Sequence, residues 1–377
     1  MQDTRMILAC VATAITSLVA IIALRRFAGA LGLVDHPNER KHHVGSVPLV
    51  GGLAIFIGVL VGACIWGRFQ LFGQVLLGTS CVLVLLGALD DRSDLSVRTR
   101  LLVQTILILT VIGSTGVYIH SLGHIFGYEL TLGWVGIPLT VVAVIGLLNA
   151  FNMMDGIDGL AGSLALVSIA AIVLFAGPHA LRGSLALITL LAIAAIPYLF
   201  ANLGLMGRKI FMGDAGSMVL GYLLAWTLIR LSQEPHSQLS PVDVLWCVAL
   251  PVLDTLAVMY RRLRQGKSPF KPDRGHIHHI LMGMGLGPRA SLVALVALAA
   301  SMAFLGSVTS SLGLGSGTNL AAFCIFSMVY TVTVTRIWVR QQAGKGMHMA
   351  KPLAANDDHV VRLARQRVNR DSVAEAD

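Results

Sequence analysis

Polar and charged residues are scarce along most of this chain and collect in short islands, and between the islands run apolar stretches of membrane-spanning length. Eleven such stretches, near residues 6–24, 47–66, 71–89, 101–119, 135–151, 159–176, 184–203, 212–230, 243–260, 291–310 and 318–338, are read as spans. A span of this length in hydrocarbon must satisfy its own backbone hydrogen bonds, which a helix does. The pattern therefore predicts an all-α polytopic membrane helix bundle of eleven transmembrane helices. Short connections leave no sizeable soluble domain. Residues 1–339 are expected to form one integral membrane domain, and 340–377, with Asn356-Asp357-Asp358 and a basic run from Arg362 to Arg370, a charged cytoplasmic tail expected to be mobile.

Composition agrees: 55% of the residues are hydrophobic, only 12% are charged, and the mean hydropathy is +0.77. Charge then sets an orientation. With eleven spans, 24 of the 28 Lys and Arg residues fall on one side and only Arg5, Arg68, Arg182 and Arg230 on the other. The basic side is cytoplasmic by the positive-inside rule, so the N-terminus is expected outside and the C-terminus inside. Residues 6–24 make a poor cleaved signal peptide, because Arg25-Arg26 follows the apolar run instead of preceding it. The formal charge of +9 is thus one-sided. It suits anionic headgroups and phosphate-bearing substrates, and excludes nucleic acid, for which no basic soluble domain exists. The five cysteines lie in or beside apolar spans without paired spacing, giving neither a disulfide framework nor a zinc site.

Five polar islands lie on the basic side. The first holds Arg40-Lys41-His42-His43 ahead of Gly51-Gly52, and reads equally as a positive-inside anchor or a phosphate-binding entrance. The second holds Asp90-Asp91-Arg92-Ser93-Asp94 and then Arg98 and Arg100. Adjacent carboxylates at a span end are an arrangement that holds Mg²⁺ bridged to phosphates. The third runs from Asn149 to Gly162. Asn152, Asp155 and Asp158 are spaced three apart, which places them on one helix face, and four amides and carboxylates exceed what a single cap needs. In the fourth, from Arg208 to Ser217, Asp214 sits between Gly213 and Gly216, as a cap or with room for a metal and a phosphate. The fifth, from Arg261 to Pro288, gathers cations and then His276-Ile277-His278-His279. Without a cysteine or carboxylate close by in sequence, these imidazoles and guanidiniums look more like a pyrophosphate clamp than a zinc site. Asp254, within an apolar run, is expected to be a buried partner of one of the arginines.

Carboxylates for a divalent metal, many phosphate donors and an apolar body beside them fit phosphoryl transfer between a soluble phosphorylated donor and a lipid phosphate. Oxygen ligands favour Mg²⁺, with Mn²⁺ able to substitute. A proton-coupled transporter is the alternative from another class, but its relay carboxylates belong near the bilayer midplane, whereas these lie at one edge. A non-catalytic lipid-binding scaffold is a weaker reading.

The islands, in order, resemble those of the polyprenyl-phosphate N-acetylhexosamine-1-phosphate transferases, the MraY/WecA superfamily, over about residues 30–285. The pieces VDHPNERKHH, PLVGG, LDDRSDLSVRTR, NAFNMMDGIDGLAG, RKIFMGDAGS and RGHIHH look closest to the WecA branch. The MraY branch carries three consecutive histidines where this chain has His276-Ile277-His278-His279. The resemblance implies a helix bundle with a cytoplasmic-facing cleft in a bacterial inner membrane. It implies transfer of N-acetylglucosamine-1-phosphate from UDP-GlcNAc, or from another UDP-N-acetylhexosamine, to undecaprenyl phosphate. That reaction releases UMP and starts a cell-surface glycan such as the O-antigen of lipopolysaccharide. Carried over by motif position, Asp214 resembles the principal metal ligand, with Asn152 second, and Asp90 and Asp91 resemble the catalytic pair. Phe211 and Asp158 match positions that hold the uracil, with Asp155 beside them. Arg100 and Lys41 match basic phosphate contacts, and Arg274, His276, His278 and His279 match contacts to pyrophosphate and sugar. A homodimer is a further partner expectation.

Overall fold

A computed structural model describes residues 2–35, 45–177, 185–233, 238–268, 275–313 and 315–343. The tail from 344 onward, and with it Lys41 and Arg274, lies outside the described residues.

Each predicted span is helical. In chain order the helices are α1 (Gln2–Leu31), α2 (Gly51–Trp66), α3 (Leu71–Ser93), α4 (Val97–Thr115), α5 (Gly136–Met154), α6 (Leu160–Ala176), α7 (Ala186–Asn202) and α8 (Gly213–Ser232). They continue as α9 (Pro241–Cys247), α10 (Ala249–Arg264), α11 (Ile277–Gly283), α12 (Pro288–Ser311) and α13 (Ser316–Ala343). Seven of these segments are long and apolar enough to cross a membrane, and α9 with α10 qualifies as a bent pair. Helices α2, α6 and α7 are apolar but shorter. Two two-stranded antiparallel ribbons complete the described chain: β1 (Val34–Asp35) with β2 (Val47–Pro48), and β3 (Ser121–Ile125) with β4 (Tyr128–Thr131).

The ninth span departs from expectation. A single helix over 243–260 was expected, and the segment instead turns through 83° between α9 and α10. Val248 leaves helical geometry at φ −126°, ψ 25°. Pro251 follows three residues on, within the first turn of α10, where its missing N–H costs nothing. Ser240 and Asp243 close a capping box at the start of α9.

Helix α8 is the axis of the bundle. It is apolar on every side and buried along nearly its whole length, whereas α1, α12 and α13 leave large apolar side chains such as Ile7, Val11, Val293 and Met328 exposed, as lipid-facing helices do. Helices α2, α3 and α5 all pack on α8. They come close because glycines face it. A Cβ on Gly52 would lie 2.1 Å from the Gly216 nitrogen, one on Gly87 2.4 Å from the Ala215 Cα, and one on Gly221 2.8 Å from the Leu148 Cα. Two of these approaches fall on the first turn of α8, so the backbone that carries Asp214 is clamped from two sides.

Successive helices alternate in direction, which brings the ends of α1, α3, α5, α7 and α10 and the starts of α2, α4, α6, α8 and α12 to one end of the bundle. At the opposite end the β3–β4 ribbon is pinned to the close of α8, where the Gln233 side chain accepts the N–H groups of His120 and Ser121 at 3.1 and 3.0 Å.

Candidate active site

The polar end of the bundle is built around the start of α8. Gly213 has φ +72°, and a Cβ there would lie 2.4 Å from a carboxylate oxygen of Asp91. Asp91, at the close of α3, accepts the N–H of Asp214 at 2.9 Å and that of Ala215 at 3.4 Å. It therefore caps α8 from a neighbouring helix, satisfying first-turn donors and placing negative charge at the positive end of the helix dipole.

Its neighbour Asp90 has a different task. Asp90 is buried, with one oxygen accepting the Leu95 N–H at 2.8 Å and the other accepting Arg100 Nη1 at 2.7 Å. The same Arg100 nitrogen lies 3.6 Å from Asp214 Oδ2. Arg100 thus bridges two carboxylates and is itself 28% exposed, open to an incoming anion. Asp214 Oδ1 accepts from Asn152 Nδ2 at 2.7 Å, and the same amide reaches Ser217 Oγ at 3.0 Å. The amide holds Asp214 through its nitrogen, which leaves its carbonyl oxygen for a ligand. Asp94 ends α3 in the left-handed region at φ 47°, exposed, and only Asp90 and Asp91 of that motif turn toward α8.

Asn152, Asp155 and Asp158 do not share a helix face as their spacing predicted. Helix α5 stops at Met154, Asp155 caps it with ψ 34°, and Gly159 at φ +78° starts α6 afresh. Gly156 and Gly159 break the helical period that the spacing assumed. The resulting turn is stitched to the segment before α8 by the buried Asn202, which accepts the Gly159 N–H and donates to the Ile210 carbonyl at 2.8 Å. Lys209 pairs with Asp158 across the same gap. The carboxyl of Asp155 is pushed well above the usual carboxylate range, first by burial and then by the charges of Asp214, Asp91 and Asp158. Of the carboxylates gathered here, Asp90 and Asp214 face Arg100 and Asp158 pairs with Lys209.

Phe211 lies half-buried in the strap entering α8. Its N–H donates to the Pro48 carbonyl at 2.8 Å and its carbonyl accepts the Gly51 N–H at 2.9 Å, while the Met212 carbonyl accepts the Gly52 N–H at 2.8 Å. The first island is thereby fastened to the fourth.

The histidines come from the other side. His278 is buried against the third island: a Cβ on Gly156 would lie 2.2 Å from its Nε2, so only glycine fits there. Burial, and then the neighbouring His279 and His276, hold its pKa down at about 3, so the ring is neutral at physiological pH. The His276 ring stacks 6.0 Å away and that of His279 lies 4.2 Å away. Asp254, expected to face an arginine, instead bonds His276 Nδ1 at 2.7 Å. The donor is a histidine because α10 runs past the start of α11, a long-range neighbour that sequence distance hides.

The structure brings together Asp90, Asp91, Arg100, Asn152 and Asp214, and sets Asp155, Asp158, Phe211 and the histidines around them. The sequence reading missed Lys209, Asn202 and Ser217. Asn202 carried a signal, since it is an amide closing an apolar run just as Asn149 and Asn152 do.

A helical membrane bundle with carboxylates, guanidinium and imidazoles at one end is the framework of a membrane-embedded phosphotransferase. Residues 74–232, which carry the second, third and fourth islands, match the model of glycosyl transferase family 4. The chain is 42% identical over 326 residues to an undecaprenyl-phosphate alpha-N-acetylglucosaminyl 1-phosphate transferase of Yersinia pestis, covering 85% of this chain and 89% of the relative. It is 41% identical to the protein of that name from Escherichia coli strain K12 (83% and 87% covered) and 37% identical to the one from Haemophilus influenzae (86% and 93%). This chain belongs to glycosyl transferase family 4, and it is an enzyme.

Proposed function

We propose that the polar end of this bundle transfers N-acetylglucosamine-1-phosphate from UDP-GlcNAc to undecaprenyl phosphate, releasing UMP and leaving the sugar on a lipid diphosphate. The observation that carries the reading is the meeting of α3, α4 and α8 at one end of an apolar bundle, where Arg100 bridges Asp90 and Asp214 while Asp91 caps the helix that carries Asp214. Relatives that bear the name of this activity support it along most of the chain.

The donor set fits a divalent cation. Among the described residues no three His, Cys, Asp or Glu side chains surround one metal position. Mg²⁺ needs no such cage, because it takes one or two carboxylates and completes its shell with water and substrate phosphates. Asp214 and the carbonyl oxygen of Asn152 would hold it, and it would supply positive charge against the transferring phosphoryl group.

The chain's own residues do the rest. A phosphate monoester has its second pKa near ~6, so the lipid phosphate is already largely a dianion at neutral pH. It attacks the donor phosphorus in line and needs little help from a general base. Asp90 suits positioning, since both its oxygens are engaged and one of them holds Arg100 toward the incoming phosphate. Asp91 keeps α8, and so Asp214, in place. Phe211 stacks on the uracil, Asp158 accepts from its N3–H, and the histidines of α11 contact pyrophosphate and sugar.

In the membrane, eleven spans, α1 to α8, α9 with α10, α12 and α13, cross the bilayer, with the site on the cytoplasmic face of the inner membrane and the N-terminus outside. The 24-to-4 partition of basic residues supports this orientation. The deciding experiment incubates purified protein with undecaprenyl phosphate and a panel of UDP-sugars. UMP is expected from UDP-GlcNAc. Release from none of the UDP-N-acetylhexosamines would sink the reading, and release from an epimer alone would reassign the donor.

A further inference from the structure

Asp254 on α10 is fully buried, at 0% exposure. A carboxylate so placed is costly unless it is compensated by hydrogen bonds. Three donors meet it: His276 Nδ1 at 2.7 Å, the Ile277 N–H at 2.9 Å, and the Tyr330 hydroxyl of α13 at 3.3 Å. An ionised carboxylate only accepts, so Nδ1 must carry its proton toward Asp254 and Nε2 becomes the nitrogen left for a ligand. The Ile277 N–H belongs to the first turn of α11, so the same carboxylate also caps the helix that carries His278 and His279. Helix α13 braces α11 a second time, where Gln341 Nε2 donates to the Ile280 carbonyl at 2.9 Å. Beyond that brace, His278 is 1% exposed with neither ring nitrogen bonded. An unpartnered buried imidazole is costly as it stands and points to a ligand that completes it.

We infer that Asp254, supported by Tyr330, is a positioning residue for the transfer reaction: it fixes the tautomer of His276 and the pose of α11, so that the unprotonated His276 Nε2 accepts from a sugar hydroxyl of the nucleotide-sugar donor and the His278 ring meets the donor's phosphates. The inference rests on the activity proposed above. It gives the last helix of the bundle, which contributes no group to the carboxylate cluster, a part in the chemistry. It also accounts for a charged residue in the middle of an apolar run. Asn at 254 would keep the shape and the cap but present N–H to His276 Nδ1, turning the proton to Nε2. Holding a histidine in the wrong tautomer is a severe defect in other enzymes although the geometry survives.

The test measures UMP release and thermal stability for Asp254→Asn, Tyr330→Phe, His276→Ala and the double variant Asp254→Asn/His276→Ala. Asp254→Asn is expected to lower kcat by about 10²-fold or more while the KM for undecaprenyl phosphate stays within about threefold and the melting temperature is retained. Tyr330→Phe is expected to lower kcat by roughly 3–10-fold, the scale of one hydrogen bond. The double variant is expected to be no slower than His276→Ala alone, because the effect of Asp254 passes through that ring. Full activity in Asp254→Asn, or an undiminished loss on adding it to His276→Ala, overturns the inference. If Asp254→Asn does not fold, an unchanged kcat in Tyr330→Phe overturns it instead. A wild-type protein that releases no UMP refutes the activity itself, a different outcome from an active wild type beside an active Asn variant.

Discussion

The Asn152 amide donates to Asp214 at 2.7 Å, across the α5–α8 interface. One oxygen of Asp214 is held by that amide and the other faces Arg100, so the carboxylate is oriented before any ligand arrives. Residues that orient a metal-binding carboxylate matter nearly as much as the ligand. Asn152→Ala is expected to lower UMP release by about 10–100-fold, with part of the loss recovered at high Mg²⁺. Asp214→Asn is expected to cost about 10²-fold or more without such recovery, and excess EDTA to stop the wild type. Unabated turnover in EDTA would remove the metal from the mechanism.

Gly52 is a packing test of the same site. A Cβ there would meet the Gly216 backbone at 2.1 Å, and backbone cannot swing aside as a side-chain tip can. Gly52→Ala must part α2 from α8 and move the first turn that carries Asp214. Overpacking of this kind costs about 1–3 kcal/mol. The variant is expected to melt several degrees lower and to lose activity, although residue 52 touches no substrate. An equal melting temperature measured in detergent would show that the helices sit farther apart.

Phe211 separates recognition of the base from that of the lipid. Aromatic stacking on a base is worth ~1–3 kcal/mol. Phe211→Ala is expected to raise the donor KM by roughly 10–100-fold and to leave the KM for undecaprenyl phosphate nearly unchanged. The backbone bonds of Phe211 to Pro48 and Gly51 survive the substitution, so a general collapse of the strap is not expected. A parallel rise of both KM values would make Phe211 a packing residue.

Topology can be read from the β3–β4 ribbon, which lies at the end of the bundle away from the carboxylates. Ser121 is half-buried against Gln233, so it is a poor site for labelling, whereas Tyr128 is 76% exposed. Tyr128→Cys, in a background lacking the native cysteines, is expected to react with a membrane-impermeant maleimide added from the periplasmic side. Reaction only after the inner membrane is opened would reverse the orientation.

The sequence by itself determined the helical membrane class, the approximate place of the apolar segments and the polar islands, whose described parts gather at one end of the bundle. Hydrocarbon forces this legibility: a segment of spanning length must be apolar throughout, so polar residues are confined to helix ends and advertise themselves. The family resemblance rested on those same islands, which is why the comparison with known transferases agrees with it. What only the tertiary structure decided is which polar group serves which partner. Spacing placed Asn152, Asp155 and Asp158 on one face, but α5 ends at Met154, between the first two of them, and α6 starts only after Asp158. Adjacent Asp90 and Asp91 read as one pair, yet one holds Arg100 and the other caps α8, since neighbouring residues on a helix point about 100° apart. The partner of Asp254 was expected to be an arginine and is His276, with Tyr330 supplied from the far end of the chain. Such pairings depend on how helices cross, and crossing is set by where glycines let backbones meet, as Gly52 and Gly87 do at the start of α8. No local pattern encodes that distance, because the residue that fills or leaves the gap belongs to another helix.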